Sequence, residues 1–193
     1  MGSLPQRAAH MARSLSAAAS AQGCDADEVR ALAAAFEVAM GPRVETLDDD
    51  HHPTYLHPGR GPLILLQDVG EVDVSVLIVA ALHESQDFAL MPSPDVVEER
   101  VGAAALAAAR SIPCPGDERL VERLLGLGPG PSLAALAERL DHIRHLHVRE
   151  DLVDAWAPTY TEVLEAWLPF AERTHPMLAR RYAHWARTFA KRI

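Results

Sequence analysis

Apolar residues recur every three or four positions along most of this chain, which is the pattern of helices that bury one face. The first such segment covers about residues 5–21. The second begins with Asp25 in position to cap a helix, and Glu28 follows three residues later as in a capping box. Gly41 and Pro42 are expected to end that helix, because glycine and proline commonly follow a helix C-terminus.

Polar and helix-breaking residues dominate the segment between residues 42 and 61, so we expect irregular structure there and a new helix near Pro62. The stretch from Asp73 to Glu84 is then almost entirely apolar. Its valines are compatible with a buried strand, but its length, the capping residue Asp73 and its Ala-Ala-Leu sequence favour a helix. We therefore predict a central buried helix.

The rest of the chain alternates helical patterns with glycine- and proline-rich breaks. An alanine-rich helix is predicted over residues 95–110 and a shorter one over 117–125. Ser132 is expected to cap the next helix, which follows the sequence GLGPGPS. Two or three further helices should complete the chain, with Pro158 and Pro176 at breaks or in first turns.

Composition agrees with an all-α class, because Ala, Leu, Arg and Glu are abundant while β-branched and aromatic residues are sparse outside one stretch. A length of 193 residues fits a single domain. We expect N-terminal helices over residues 5–41 and C-terminal helices over 150–193. The two cysteines, Cys24 and Cys114, form no CxxC pair and are expected to be small, mostly buried side chains.

Charge and hydropathy narrow the classes of partner. The net charge of −9 is the opposite of the basic surface expected of a protein that binds duplex nucleic acid. No uninterrupted apolar run approaches the roughly 20 residues of a membrane span, and the first residues lack the apolar centre of a secretory signal. We expect a cytoplasmic protein with neither a membrane nor duplex nucleic acid as partner.

Two short segments carry candidate chemistry near the middle of the chain. His83 and Glu84 end the most apolar predicted helix, where an imidazole and a carboxylate are costly unless paired, bound to metal or exposed at the helix end. Before that helix, the sequence Tyr-Leu-His-Pro places His57 ahead of a proline, which by itself is also typical of a turn.

A third candidate is a polar helix face in the second half of the chain. Glu138, Asp141, His142 and His145 follow helical spacing and therefore share a face beside a leucine stripe. Such a face can hold a divalent cation, or it can be a solvated surface with local ion pairs. The spacing alone leaves both interpretations open.

Taken together, the order and spacing of the three segments resemble the HD superfamily of metal-dependent phosphohydrolases. The closest likeness is to the guanosine polyphosphate hydrolase branch, which comprises the HD domain of RelA/SpoT proteins and their small stand-alone relatives. The sequence YLHPGRGPLILLQDVGEVDVSVLIVAALHESQD is similar to the family's His-Pro segment and the helix that ends in a His-Asp pair. LAERLDHIRHL is similar to its later Leu-Ala-Asp-Arg-Leu helix.

The resemblance covers residues 54–146 and implies an HD-domain helical bundle. It also implies one divalent metal ion, Mn²⁺, Fe²⁺ or Zn²⁺, on four ligands, His57, His83, Glu84 and Glu138. Two of these ligands are glutamates where the family has aspartates, which keeps the charge and adds reach. Asp87 falls on an acid that helps to activate water and is the expected general base, whereas Phe88 replaces the family's neighbouring aspartate.

Arginines at three positions are expected to bind phosphate oxygens, namely Arg60, Arg139 and Arg144. Pairing with nearby acids such as Glu138 or Asp141 is the alternative for each. The family's basic segment ahead of the His-Pro element is absent, and three aspartates, residues 48–50, stand near its place. An anionic guanine nucleotide would be repelled there.

The expected function is hydrolysis of a small nucleotide or another phosphorylated molecule by metal-activated water. The alternative is a binding or regulatory protein that keeps the HD scaffold, with or without its metal, and has lost turnover. A third possibility is oxidative chemistry at an iron site, for which Asp141 or His142 would supply further ligands. The aromatic residues of the C-terminal helices have spacings suited either to core packing or to contact in a homo-oligomer: Trp156, Tyr160, Trp167, Tyr182 and Trp185.

Overall fold

Helices form all the longer regular elements of the computed structural model, which describes residues 4–71 and 73–193 and contains no strand in those ranges. Their bounds are α1 (Gln6–Ala21), α2 (Ala26–Thr46), α3 (His57–Ile64), α4 (Val74–Leu82), α5 (Pro94–Arg100), α6 (Ala103–Ser111), α7 (Leu120–Leu125), α8 (Pro129–His145), α9 (Trp156–Glu162), α10 (Leu168–Thr174) and α11 (Pro176–Phe189). The all-α prediction is confirmed.

The predicted central helix is α4, which packs against α2, α3, α6 and α8. Asp73 caps it by accepting a hydrogen bond from the Ser75 amide, and the residues from Val76 to Leu82 are all buried. A helix that is apolar on every side requires neighbours on every side, which explains its place at the centre of the molecule.

The first two helices begin as predicted. Helix α1 starts at Gln6, and α2 follows a capping box in which Asp25 accepts from the Glu28 amide and Glu28 accepts from the Asp25 amide. The N-terminal segment was expected to lack a secretory signal. Its residues 1–3 lie outside the part of the chain that the structure describes. Each helix in the described part is too short or too polar to cross a membrane.

The prediction that Gly41 and Pro42 end the second helix is wrong, since α2 continues to Thr46. Tertiary contacts outweigh the backbone hydrogen bond that the proline removes. The side chain of Arg43 is buried in the core, and its Nε donates to the Thr54 carbonyl oxygen at 3.2 Å. This contact ties the last turns of α2 to the segment that leads into α3.

The next helix also begins earlier than predicted, at His57 rather than near Pro62. Pro58 lies in its first turn, where a missing N–H removes no hydrogen bond from the helix. A π-helical turn over Leu65–Val69 then extends α3. The irregular segment is therefore confined to residues 47–56, and His57 is held at a helix N-terminus.

The single helix predicted over residues 95–110 is wrong as well, because α5 and α6 are separated at Gly102. The φ of Gly102 is 120°, a backbone conformation that side-chain-bearing residues rarely adopt. Helix α7 begins at Leu120, three residues later than predicted, after a turn that starts at Asp117.

Ser132 does not cap α8. The helix begins at Pro129 after Gly128, and the Ser132 hydroxyl donates to the Gly128 carbonyl oxygen at 2.8 Å. Pro158 and Pro176 lie in the first turns of α9 and α11, as predicted.

Aromatic side chains fix the C-terminal helix α11 against α8. The Tyr182 hydroxyl donates to the Leu136 carbonyl oxygen at 2.8 Å, and Trp185 Nε1 donates to the Ile143 carbonyl oxygen at 2.7 Å. Both rings are buried, as is that of Trp167. Core packing therefore accounts for these three residues, and a homo-oligomer contact through these helices stays a prediction.

Candidate metal centre

Three helices bring side chains from distant parts of the sequence into one buried cluster. His57 is the first residue of α3, His83 and Glu84 follow the last turn of α4, and Glu138 and His142 lie one turn apart on α8. Each of these five residues is at most 5% exposed. Buried polar groups are costly without partners, so the contacts of each atom decide what the cluster can do.

Four atoms of the buried cluster have no aligned hydrogen-bond partner: His57 Nε2, His83 Nε2, Glu138 Oε2 and His142 Nε2. Donor atoms of His57, Glu138 and His142 all lie within 4.8 Å of one another. Imidazole nitrogens and carboxylate oxygens are the donors of divalent transition-metal sites. This group could therefore hold a metal ion.

His142 Nε2 lies between two carboxylates, 3.0 Å from Glu84 Oε1 and 3.2 Å from Glu138 Oε1. Both oxygens are close enough for a hydrogen bond, but neither lies in the direction of the ring N–H. The imidazole of His142 packs 4.1 Å from that of His57, measured between ring centroids. The nitrogen is thus held by charge rather than by a directed hydrogen bond.

Asp141 orients the imidazole of His57 through a contact with the Nδ1 atom. Its Oδ2 lies 2.8 Å from His57 Nδ1 and accepts the ring N–H, so that Nε2 is directed away from this hydrogen bond. Arg60 Nε donates to both oxygens of Asp141 at 2.8 and 2.9 Å. Burial opposes ionisation of Asp141, but these two partners hold its pKa well below the usual range. A carboxylate on the far nitrogen of a histidine is a common support for a metal ligand.

Ser85 orients Glu138 in a comparable way. Its backbone N–H and its hydroxyl both donate to Glu138 Oε1, at 2.9 and 2.7 Å. The other carboxylate oxygen, Oε2, is left without a protein partner. One oxygen therefore fixes the side chain and the other is available to a ligand.

Glu84, a predicted metal ligand, has both carboxylate oxygens engaged by the protein. Oε2 accepts from Arg43 Nη2 at 2.5 Å in a fully buried ion pair. Oε1 accepts the backbone N–H groups of Gln86 and Asp87 at 2.9 and 3.0 Å. These contacts organise the loop after α4, and they compete with any role for Glu84 as a ligand.

Electrostatic interactions within the buried cluster determine which of its side chains carry a proton. Burial disfavours the imidazolium form of His142, but Glu84 and Glu138 outweigh burial and raise its pKa to about 10. Burial likewise opposes ionisation of Glu138, yet His142 and the other histidines lower its pKa to about 2. Burial lowers the pKa of His83, which favours its neutral form. Without metal, His142 is thus a cation between two carboxylates, and a metal ion would have to displace its proton.

Asp87, the predicted general base, is joined to the buried cluster through its backbone N–H, which donates to Glu84 Oε1 at 3.0 Å. Its Oδ2 accepts from Arg149 Nη1 at 3.1 Å. Arg149 also borders a crevice of about 10 Å³, together with Arg60 and His142. A space of that size holds about one water molecule.

The two other predicted phosphate-binding arginines are not brought to the buried cluster. Arg139 Nη2 donates to Glu162 Oε1 at 3.0 Å, and its guanidinium carbon lies 5.9 Å from the centre of the Trp167 ring. Arg144 is exposed on α8. Pairing within the protein, which was the alternative interpretation for each arginine, describes Arg139 and also Arg60, whose Nε donates to Asp141.

Sequence reasoning did not assign His142 to the main ligand set and did not identify Arg43 or Arg149. The spacing of His142 one turn after Glu138 was a usable signal, because it places both on one helix face. Arg43 carried no such signal, since it followed the glycine and proline expected to end α2.

The buried cluster is the structural evidence for a metal centre, whereas the likeness to the HD superfamily is a resemblance of sequence motifs. Comparisons of the chain with protein-family models, with curated proteins and with solved structures find no match.

Proposed function

We propose that this chain is a metal-dependent phosphohydrolase that acts on a small phosphorylated molecule. The observation that carries the proposal is the buried group of His57, Glu138 and His142, whose donor atoms lie within 4.8 Å of one another. His57 Nε2 and Glu138 Oε2 have no hydrogen-bond partner, and such buried atoms destabilise a fold unless something binds them. The motif order shared with HD phosphohydrolases supports the same assignment.

The donor set fits a transition-metal ion better than Mg²⁺ or Ca²⁺, because histidine nitrogens outnumber carboxylate oxygens. His57, Glu138 and His142 would hold the ion, and His83 is the fourth candidate donor. A bound divalent ion would lower the pKa of a water molecule and offset the negative charge that develops on a phosphoryl group. Mn²⁺, Fe²⁺ and Zn²⁺ all remain compatible with these donors.

The chain's own residues would perform the remaining work. Asp141 fixes the His57 tautomer, and Ser85 fixes the Glu138 rotamer, so two donors are preorganised before anything binds. Asp87 is the proposed general base, and Arg149 holds its carboxylate in place. Of the arginines first considered, Arg60 remains the proposed phosphate contact because it borders the crevice beside His142.

The test measures bound metal and phosphate release on the same samples. Protein loaded separately with Mn²⁺, Fe²⁺ or Zn²⁺ is assayed against nucleoside phosphates and sugar phosphates. We expect about one ion per chain and turnover with at least one metal, both lost in His57→Ala and Glu138→Gln. His147→Ala, which changes an exposed histidine, should keep both. Protein that binds none of the three metals would contradict the proposal.

A regulatory or binding protein on the same scaffold is the second candidate. The ion pair of Glu84 with Arg43 supports it, because this carboxylate stands where the resembling family has a metal-binding aspartate. Phe88 supports it too, since it replaces an acid beside Asp87. Stoichiometric metal without turnover across the whole panel would favour this second candidate.

A further inference from the structure

An apolar pocket opens beside the buried cluster and reaches His83. Its volume is about 300 Å³, at the lower end of the range for small-molecule sites. Helices α4, α5 and α6 and the loop between α4 and α5 form its walls, with Val97, Leu106 and Ala109 among the lining residues. His83 lines this pocket, and the residue that follows it, Glu84, lies 3.0 Å from His142 Nε2 in the buried cluster.

Large apolar side chains remain in solvent around the pocket. Phe88 is 62% exposed and Met91 is 39% exposed, and both line it. Arg110 is the charged residue among its lining residues in the described ranges. Walls of this composition offer much apolar contact and few hydrogen bonds, which suits a hydrocarbon group better than the sugar and base of a nucleotide.

A second space, beside His142, is much smaller than the pocket. The crevice lined by Arg60, His142 and Arg149 is about 10 Å³, so it admits about one water molecule and no organic group. A substrate whose phosphate reaches the metal donors would therefore have its organic part on the His83 side.

We propose that this pocket binds the apolar ester group of the substrate, so that the enzyme acts on aryl or alkyl phosphates with a group about the size of one ring. This inference rests on the proposed phosphohydrolase function.

The test uses two phosphonates, which are not hydrolysed, and one nucleotide on the metal-loaded protein. Affinities of methylphosphonate, phenylphosphonate and guanosine monophosphate are measured by calorimetry. Each buried methylene is worth about fourfold in affinity, so phenylphosphonate should bind about 10- to 100-fold more tightly than methylphosphonate. Equal affinities for the two phosphonates, or tighter binding of guanosine monophosphate, would overturn the inference.

Two variants change the pocket, and a third is their control. Ala109→Leu fills the pocket, and Phe88→Ser removes an exposed wall and so carries little risk to folding. Both should abolish most of the preference for phenylphosphonate. Ala107→Leu adds the same bulk at an exposed position of α6 and should leave the preference unchanged. Retention of the full preference in both pocket variants would refute the assignment.

A metal-free arm separates this inference from the proposed function. Benzyl alcohol, which carries a ring and no phosphate, is titrated against metal-free protein by NMR. We expect saturable binding that is lost in Ala109→Leu and kept in Ala107→Leu. If metal binds but neither benzyl alcohol nor the phenyl group does, the pocket assignment fails and the proposed function stands. If the ring binds but no metal does, the proposed function fails, and the pocket is then a binding site for an aromatic group that is not part of a phosphate ester substrate.

Discussion

Replacing Arg43 with methionine should destabilise the fold more than any surface change. The side chains of Arg43 and Glu84 are each 1% exposed and form an ion pair at 2.5 Å. Arg43 also donates to the carbonyl oxygens of Ala39, Thr54 and Leu90, at 2.9, 3.2 and 2.9 Å. Methionine keeps most of the apolar stem, but it leaves a buried carboxylate and three carbonyl groups without these donors.

The expected loss is about 3–5 kcal/mol, which is the usual cost of removing one partner from a buried ion pair. The cation on His142, 3.0 Å from Glu84, partly compensates and argues against a larger value. A typical domain is stable by only about 5–15 kcal/mol, so Arg43→Met should lose about a fifth of the total or more.

Urea unfolding of the metal-free protein, followed by tryptophan fluorescence, measures this loss. Arg30→Met is the matched control, because Arg30 is 70% exposed in its pair with Asp27 and should change stability by less than about 1 kcal/mol. The double variant Arg43→Met with Glu84→Gln should lose about 1–3 kcal/mol less than the sum of the two single variants. A loss under about 1 kcal/mol in Arg43→Met, or additivity in the double variant, would refute the assignment of the ion pair.

Three further predictions address the site and its support. Asp141→Asn should weaken metal binding by about 10- to 100-fold through His57, and calorimetry showing unchanged affinity would contradict the proposed support. Because the pKa of His142 is raised to about 10, metal affinity should increase as the pH rises from 7 to 9, with proton release on binding. For the same reason, protonated His142 should stabilise the metal-free protein fully below the ordinary histidine pKa of about 6.5, and this stabilisation should be lost as the pH rises through 10. If neither metal affinity nor the free energy of unfolding changed with pH over these ranges, the pairing of His142 with Glu84 and Glu138 would be contradicted. Gly59→Ala should lower the free energy of unfolding in urea by about 1–3 kcal/mol, because the added Cβ would collide with Met11. Gly41→Ala is the control, because position 41 lies in open space within α2, and it should stabilise the protein by up to about 1 kcal/mol. Similar effects of the two substitutions would refute the packing of α3 against α1.

Much of the fold follows from the sequence because local signals and packing agree. The capping box at Asp25 and the apolar run after Asp73 each predicted a helix that the structure contains. The errors occur where a tertiary contact overrides a local signal. Pro42 is tolerated inside α2 because Arg43 is buried and hydrogen-bonded just beyond it, a contact that no local pattern reveals.

The site was predictable only in part. Motif order identified His57 and Glu138, two of the three residues whose donor atoms lie within 4.8 Å of one another. It could not reveal that Glu84 is paired with Arg43, because the two residues are far apart in sequence and meet through packing of α2 against α4. Ion-pair partners of this kind depend on tertiary geometry, which spacing along the chain does not encode.

In the proposed metal centre, imidazoles and a carboxylate bind one ion in the buried cluster. X-ray absorption spectroscopy of the zinc-loaded protein measures the types and distances of the atoms in the first coordination shell. We expect at least two imidazole nitrogens at about 2.0–2.1 Å, with one fewer in His142→Ala. A first shell of oxygen alone, or an imidazole count unchanged in His142→Ala, would contradict it.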